Sequence, residues 1–218
     1  MSNRKRVGIL ISGRGSNMSA LIDSCKDPSY SAEIVTVLSN RPEAPGLQIA
    51  AEAGIPTKAI DHKAYESREA FEKDLTDALE DSGVEIICSA GFMRLLTEGF
   101  VEHWRNRQLN IHPSLLPAFK GLHTHERAIQ AGVRLSGCTV HFVRTEMDSG
   151  PIIAQAAVPV LPDDSPESLA ERVLHAEHKL YPFALELVAS GKARVEGERV
   201  VFNEKPAIHG AYIAPYFT

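Results

Sequence analysis

Val7-Gly8-Ile9-Leu10-Ile11-Ser12-Gly13-Arg14-Gly15-Ser16-Asn17 is the stretch whose reading decides the fold. The apolar run Val7 to Ile11 reads as a strand buried on both faces. Glycines follow, and then a helix that begins near Ser16 and carries Leu21 and Ile22 on its apolar side. A buried strand that turns through glycines into a helix is the opening unit of a parallel sheet.

The pattern repeats along the chain. Ile34 to Leu38 and Val84 to Cys88 are further strand-like runs. Between them a helix starting near Ser67 places Phe71, Leu75, Ala78 and Leu79 at helical spacing. The expected architecture is α/β: a mostly parallel, twisted sheet with helices on both faces, Rossmann-type, in a single domain over 1–218. Ligands of such sheets gather beyond the carboxyl ends of the strands.

The second half changes character. Leu109 to His112 is a short strand, a proline-rich loop runs to Gly121, and Gly137 to Val143 and Ile152 to Val158 are strands. Ser165-Pro166 is a helix start, with serine at the cap and proline at the first helical position. That helix runs toward Gly191 and is expected to bend at Pro182. Arg194 to Phe202 reads as a small hairpin turning at Gly197.

Composition narrows the function. A net charge of -5 argues against a broad nucleic-acid surface, though not against one phosphate held by a local cluster of donors. No apolar run has the length of a membrane span, and the basic start Met1 to Arg6 is followed by too short an apolar stretch for a secretory signal. Cys25, Cys88 and Cys138 are widely spaced and odd in number, which is neither a disulfide framework nor a metal cluster. A cytoplasmic protein is expected.

The loop Ser12 to Asn17 can cradle an anion, because glycines admit close approach and the free amides of a helix start point at it. A dinucleotide site is disfavoured. The third glycine of that fingerprint is replaced by Met18, and the second strand ends in Ser39-Asn40 where an acidic residue belongs. A single phosphate on a small nucleotide remains, beside the competing reading of a glycine turn needed only for its dihedral angles.

Asn110-Ile111-His112-Pro113-Ser114-Leu115-Leu116-Pro117 is the most informative segment. Alternation puts Asn110 and His112 on one face of a strand, about 7 Å apart. Pro113 ends the strand at once, leaving an amide donor and an imidazole at an opening where they can hold a developing oxyanion. A turn-capping asparagine beside a satisfied histidine is the plainer alternative. Asp148, in Glu146-Met147-Asp148-Ser149-Gly150-Pro151, is either a turn aspartate or the carboxylate that orients His112 and favours its protonated form. His112, His123, His125 and His141 lack the spacing of a metal set, so no metal is expected. In the long helix Glu177 falls inside the apolar stripe of Ala170, Val173, Leu174, Leu180, Tyr181, Ala184, Leu187 and Val188. A buried glutamate needs a partner, either a ligand's ribose hydroxyls or amine, or an ordinary Arg or Lys.

Taken in order, Gly13 to Asn17, Ala90-Gly91-Phe92-Met93-Arg94, Asn110 to Pro117 with Gly121-Leu122-His123-Thr124-His125, and Met147 to Pro151 resemble the folate-dependent phosphoribosylglycinamide formyltransferase family. The likeness runs from Val7 to about Gly191, and Asn110 to His125 is its specific part. It implies a nucleotide-phosphate half over about 1–100 and a folate and catalytic half over about 101–218. It implies that Gly15, Ser16 and Asn17 hold the phosphate of glycinamide ribonucleotide and that Glu177 contacts its sugar-amine portion. Arg68, Met93, Arg94, Leu95 and Leu96, with Asn110, would border 10-formyltetrahydrofolate, and Asn110, His112 and Asp148 match the catalytic set. The family's pattern varies around the aspartate, at the positions of Met147 and Ser149. The partners implied are these two small molecules, with no nucleic acid and no membrane, in a monomer or homodimer.

Two sister families fit less well. Methionyl-tRNA formyltransferases resemble this chain at the Asn-x-His and Ser-Leu-Leu-Pro features but carry a basic extension, whereas Ala207 to Thr218 holds no Lys or Arg. Formyltetrahydrofolate hydrolases share the catalytic residues but usually carry an amino-terminal regulatory domain and lack this phosphate loop.

Overall fold

The computed structural model describes residues 4–205 and Ala214, so most of the tail from Ala207 onward lies outside the described residues. Its elements run β1 (Lys5–Ile11), α1 (Ser16–Cys25), β2 (Ala32–Ser39), α2 (Pro45–Glu52), β3 (Thr57–Ala59), α3 (Arg68–Asp81), β4 (Ile86–Ser89), α4 (Glu98–His103) and β5 (Gln108–His112). They continue with α5 (Thr124–Gln130), β6 (Leu135–Phe142), β7 (Ile152–Pro159), α6 (Pro166–Ala189) and the hairpin β8 (Ala193–Glu196) and β9 (Arg199–Phe202).

Seven strands form one sheet in the order β3-β2-β1-β4-β5-β6-β7. Pairings among β1 to β5 are parallel, and β5 with β6 and β6 with β7 are antiparallel. Of the parallel strands, β1, β4 and β5 are largely buried on both sides because helices cover each face. One core holds Val7, Ile9, Ile11, Met18, Leu21 and the inner side of α6. The other holds Leu10, Leu38, Phe71, Leu75, Ile87 and Trp104. Alternate residues of β1 thus feed opposite cores, which is the period of a strand buried on both faces.

Helix ends follow the expected chemistry. Ser67 caps α3 through a bond from the Ala70 amide, and Ser165 and Ser168 form a reciprocal capping box at the head of α6. Helix α6 is continuous through Pro182, whose carbonyl accepts from the Tyr30 hydroxyl at 2.6 Å. Fully buried Tyr181 braces the sheet, its hydroxyl lying 3.0 Å from the Ser89 carbonyl and 3.1 Å from that of Leu109. The small hairpin turns at Gly197, where φ is +62°.

Candidate active site

Register places the chemistry in a row. Leu10 pairs with Ser89, Ser89 with Asn110, and Asn110 with His141, so the carboxyl ends of β1, β4 and β5 lie side by side. With strands spaced about 4.8 Å apart, the loop after β1 sits roughly 10 Å from Asn110.

At the end of β5 three expected residues converge. His112 Nδ1 lies 3.4 Å from Asp148 Oδ2, and both side chains are close to fully buried. That carboxylate oxygen also accepts from the Gly121 amide at 2.8 Å, which fixes its direction. Asp148 adopts φ +52°, a left-handed conformation that non-glycine residues rarely take, at the turn that aims its carboxylate inward. The other ring nitrogen of His112, Nε2, lies 3.0 Å from the Phe119 carbonyl. Both ring nitrogens therefore face oxygen atoms that can accept.

Asn110 is half-buried at the same strand end. Its Nδ2 lies 3.4 Å from Nε2 of His141, which the strand register places directly opposite. The proline-rich loop beyond His112 is held by Thr139, whose hydroxyl donates to the Ser114 carbonyl at 2.7 Å and accepts from the Leu116 amide at 3.0 Å. The Leu116-Pro117 bond in this loop is cis.

Gly15, Ser16 and Asn17 form the head of α1. Gly15 is the N-cap residue with φ +70°, and no side chain caps the first turn, so its amides are available in the way an anion site requires. Met18, which breaks the dinucleotide fingerprint, is fully buried in the core. Glu177 reaches this helix head from α6. It is 6% exposed, and among the described residues no Arg or Lys pairs with it; Oε2 accepts from Asn17 Nδ2 at 2.7 Å. Burial raises the Glu177 pKa and the Asn17 bond partly offsets the rise. Asn17 Oδ1 is buried without a partner among the described residues.

Beside the residues expected to border folate, Arg68 and Arg94 line one open cavity of about 190 Å³ with His62, Tyr65, Glu66, Ser67 and Phe71. Met93 and Leu95 are exposed beside it, at 61% and 65%, and Leu96 is half-buried. Buried Ser12 ties this loop to the loop after β1, accepting from the Met93 amide at 2.8 Å and donating to Asn40 Oδ1 at 2.6 Å.

Other chemistries find little support in the side chains. Burial pushes the Cys25 and Cys138 thiols up to about 12 and that of Cys88 higher still, so none offers a thiolate. Ser114 donates its hydroxyl to the Ala118 carbonyl at 2.6 Å rather than to a base. Among the described residues no group of three His, Cys, Asp or Glu side chains converges as a metal set, and no helix is long and apolar enough to cross a membrane.

Two features escaped sequence reasoning. The Asn17 side chain as partner of Glu177 was hidden because the two lie 160 residues apart. His141 drew notice only as one of several histidines, because its place opposite Asn110 depends on an antiparallel pairing that strand patterns do not specify.

A formyl transferase family model matches residues 5–185. Phosphoribosylglycinamide formyltransferase of Escherichia coli is 43% identical over 187 residues, covering 86% of this chain and 88% of that protein. The trifunctional purine biosynthetic protein adenosine-3 of Bos taurus is 53% identical over 88% of this chain, which spans only 19% of that longer relative. The crystal structure of glycinamide ribonucleotide transformylase 1 from Symbiobacterium toebii superposes with a TM-score of 0.90 at 45% identity, covering 94% of this chain and 96% of that one. The chain belongs to the formyl transferase family, in its phosphoribosylglycinamide formyltransferase branch.

Proposed function

We propose that this chain transfers the formyl group of 10-formyltetrahydrofolate to the amine of glycinamide ribonucleotide, giving formylglycinamide ribonucleotide and tetrahydrofolate in purine synthesis. The observation that carries the reading is the convergence of Asn110, His112 and Asp148, from distant parts of the chain, at the carboxyl end of β5.

The amine nitrogen attacks the formyl carbon, and the formyl oxygen gains negative charge. Asn110 Nδ2 and a ring N–H of His112 donate to that oxygen, which takes over the bond the Phe119 carbonyl now receives from Nε2. Asp148, held by the Gly121 amide, stabilises the charged imidazole from its Nδ1 side and organises a water that carries a proton. The attacking amine gives up a proton, the folate nitrogen takes one, and the carbon–nitrogen bond to folate breaks. No covalent enzyme intermediate is needed, in keeping with the inert thiols and the engaged Ser114 hydroxyl.

The binding assignments rest on the same ends of strands. Gly15, Ser16 and Asn17 hold the phosphate at the head of α1, and Glu177 meets the ribose and amine portion. The roughly 10 Å between that loop and Asn110 suits a phosphorylated ribose carrying a short amide arm. Folate fits the other side on chemical grounds. Arg68 and Arg94 face its carboxylate-bearing end, and Met93, Leu95 and Leu96 offer apolar contact to its ring.

The competing reading is a formyltetrahydrofolate hydrolase, with water in place of the amine. It leaves the phosphate loop and buried Glu177 without a purpose. The test measures formate and formylated nucleotide with and without glycinamide ribonucleotide. Transfer predicts turnover that needs the nucleotide and yields formylated product; nucleotide-independent formate release would establish the hydrolase.

A further inference from the structure

We propose that His141 is a positioning residue that fixes the orientation of the Asn110 side-chain amide, turning its N–H donors and not its oxygen toward the reacting formyl group. The proposal rests on the reading of Asn110 as an oxyanion donor and assigns the residue that makes it one. An asparagine amide has two nearly isosteric orientations, and only one of them serves an oxyanion. A flipped Asn110 would aim an acceptor at developing negative charge.

The hydrogen bonds around His141 select the orientation. Its Nδ1 lies 3.0 Å from the Phe142 carbonyl, which can only accept, so Nδ1 carries the proton. Nε2 is then a lone pair, 3.4 Å from Asn110 Nδ2. With Nδ2 toward His141, one N–H satisfies the ring and the other is directed elsewhere. With Oδ1 there, two acceptors would face each other in a buried site. Pairing of Asn110 with His141 across β5 and β6 makes the contact a property of strand register and not of a mobile loop.

The ring must stay neutral for this to work, and its surroundings favour that. His141 is 2% exposed, and burial is the largest influence, lowering its pKa. The Phe142 carbonyl and Asp148 act the other way, while His112 and Arg144 add to the lowering. Asp148 Oδ1 is 4.0 Å from Nε2, beyond hydrogen-bond reach, so the carboxylate is left to His112.

The experiment compares His141→Met, which fills the space without a ring acceptor, with His141→Gln, whose amide oxygen can accept from Asn110. Losing control of one oxyanion donor should cost less than deleting it, so His141→Met is expected to lower kcat about 10- to 100-fold. KM for both substrates should stay within about twofold, since neither binding loop is touched. His141→Gln should keep turnover within a few-fold of wild type. In an Asn110→Ala background His141→Met should change kcat by less than about twofold, because nothing remains to orient. Equal losses in both backgrounds, equal losses for Met and Gln, or an unaffected His141→Met would each overturn the proposal.

If His141→Met fails to fold, nitrogen NMR of the wild-type protein labelled at histidine decides. A neutral His141 ring protonated at Nδ1 is expected, and a proton on Nε2 would overturn the assignment. Near-normal turnover in Asn110→Ala alone would instead refute the oxyanion reading beneath it, a result none of the His141 outcomes can mimic.

Discussion

Deleting the amide that meets Glu177 should destabilise the protein, and should do so only where the carboxylate is charged. Among the described residues Asn17 Nδ2, at 2.7 Å, is the side-chain donor to a glutamate that is 6% exposed. A hydrogen bond to a charged group contributes about 1.5–3 kcal/mol. Asn17→Ala also removes Oδ1, a buried acceptor without a partner among the described residues, which offsets part of the loss. The net cost is about 1–2 kcal/mol, or a fall in Tm of roughly 2–8 °C for a domain of this size. The sign with pH follows from linkage. Burial raises the folded pKa of Glu177 above its ordinary 4.5, and the Asn17 bond pulls it back, so the variant has the larger rise. A carboxylate whose folded pKa is raised binds its proton more tightly when folded, so its contribution to stability falls as pH climbs from the unfolded value through the folded one. The gap between variant and wild type should therefore be small in acid and full at neutral pH. Thermal unfolding followed by circular dichroism at both pH values measures it, with Glu177→Gln in each background as the uncharged control. A neutral-pH gap of zero, or one of equal size in acid, would refute the reasoning.

Asn110→Ala and His112→Ala should each lower kcat about 10²–10³-fold with Tm little changed, read from steady-state formyl transfer by purified variants. Arg68→Ala and Arg94→Ala should each raise KM for the folate substrate about tenfold and leave KM for the nucleotide alone, a split that initial-rate kinetics resolves. Gly150→Ala would put a Cβ 1.8 Å from the Phe142 carbonyl, beside the turn that carries Asp148. It should cost about 1–3 kcal/mol in urea unfolding and lower kcat as the aspartate shifts; unchanged values in both assays would show that the turn relaxes freely.

The parallel half of the fold was legible because its strands are continuous apolar runs and its helices carry clear periodicity. Val7 to Ile11 and Phe71 to Leu79 could hardly be read otherwise. β3 was not legible, since its three residues are all exposed and carry no pattern. The short helices α2, α4 and α5 have eight, six and seven residues, too few turns for periodicity to emerge. The antiparallel direction of β6 and β7 also lay beyond reading, because an apolar strand looks the same run either way. At the site, Asn110 and His112 were readable as a pair from alternation, and Glu177 from its place in an apolar stripe. Asp148 was open between a turn aspartate and the partner of His112, because only the fold sets its carboxylate against the ring. Glu177 pointed correctly to a partner but not to Asn17, because only tertiary packing of α6 on the head of α1 brings them together.

A crystal structure with glycinamide ribonucleotide and a non-reactive 10-formyltetrahydrofolate analogue bound together would locate the reacting atoms outright. It should place the formyl oxygen within hydrogen-bond distance of both Asn110 Nδ2 and a ring nitrogen of His112, with the nucleotide amine against the formyl carbon and Asp148 still beside the ring. A formyl carbon seated away from that amide and imidazole would contradict the account.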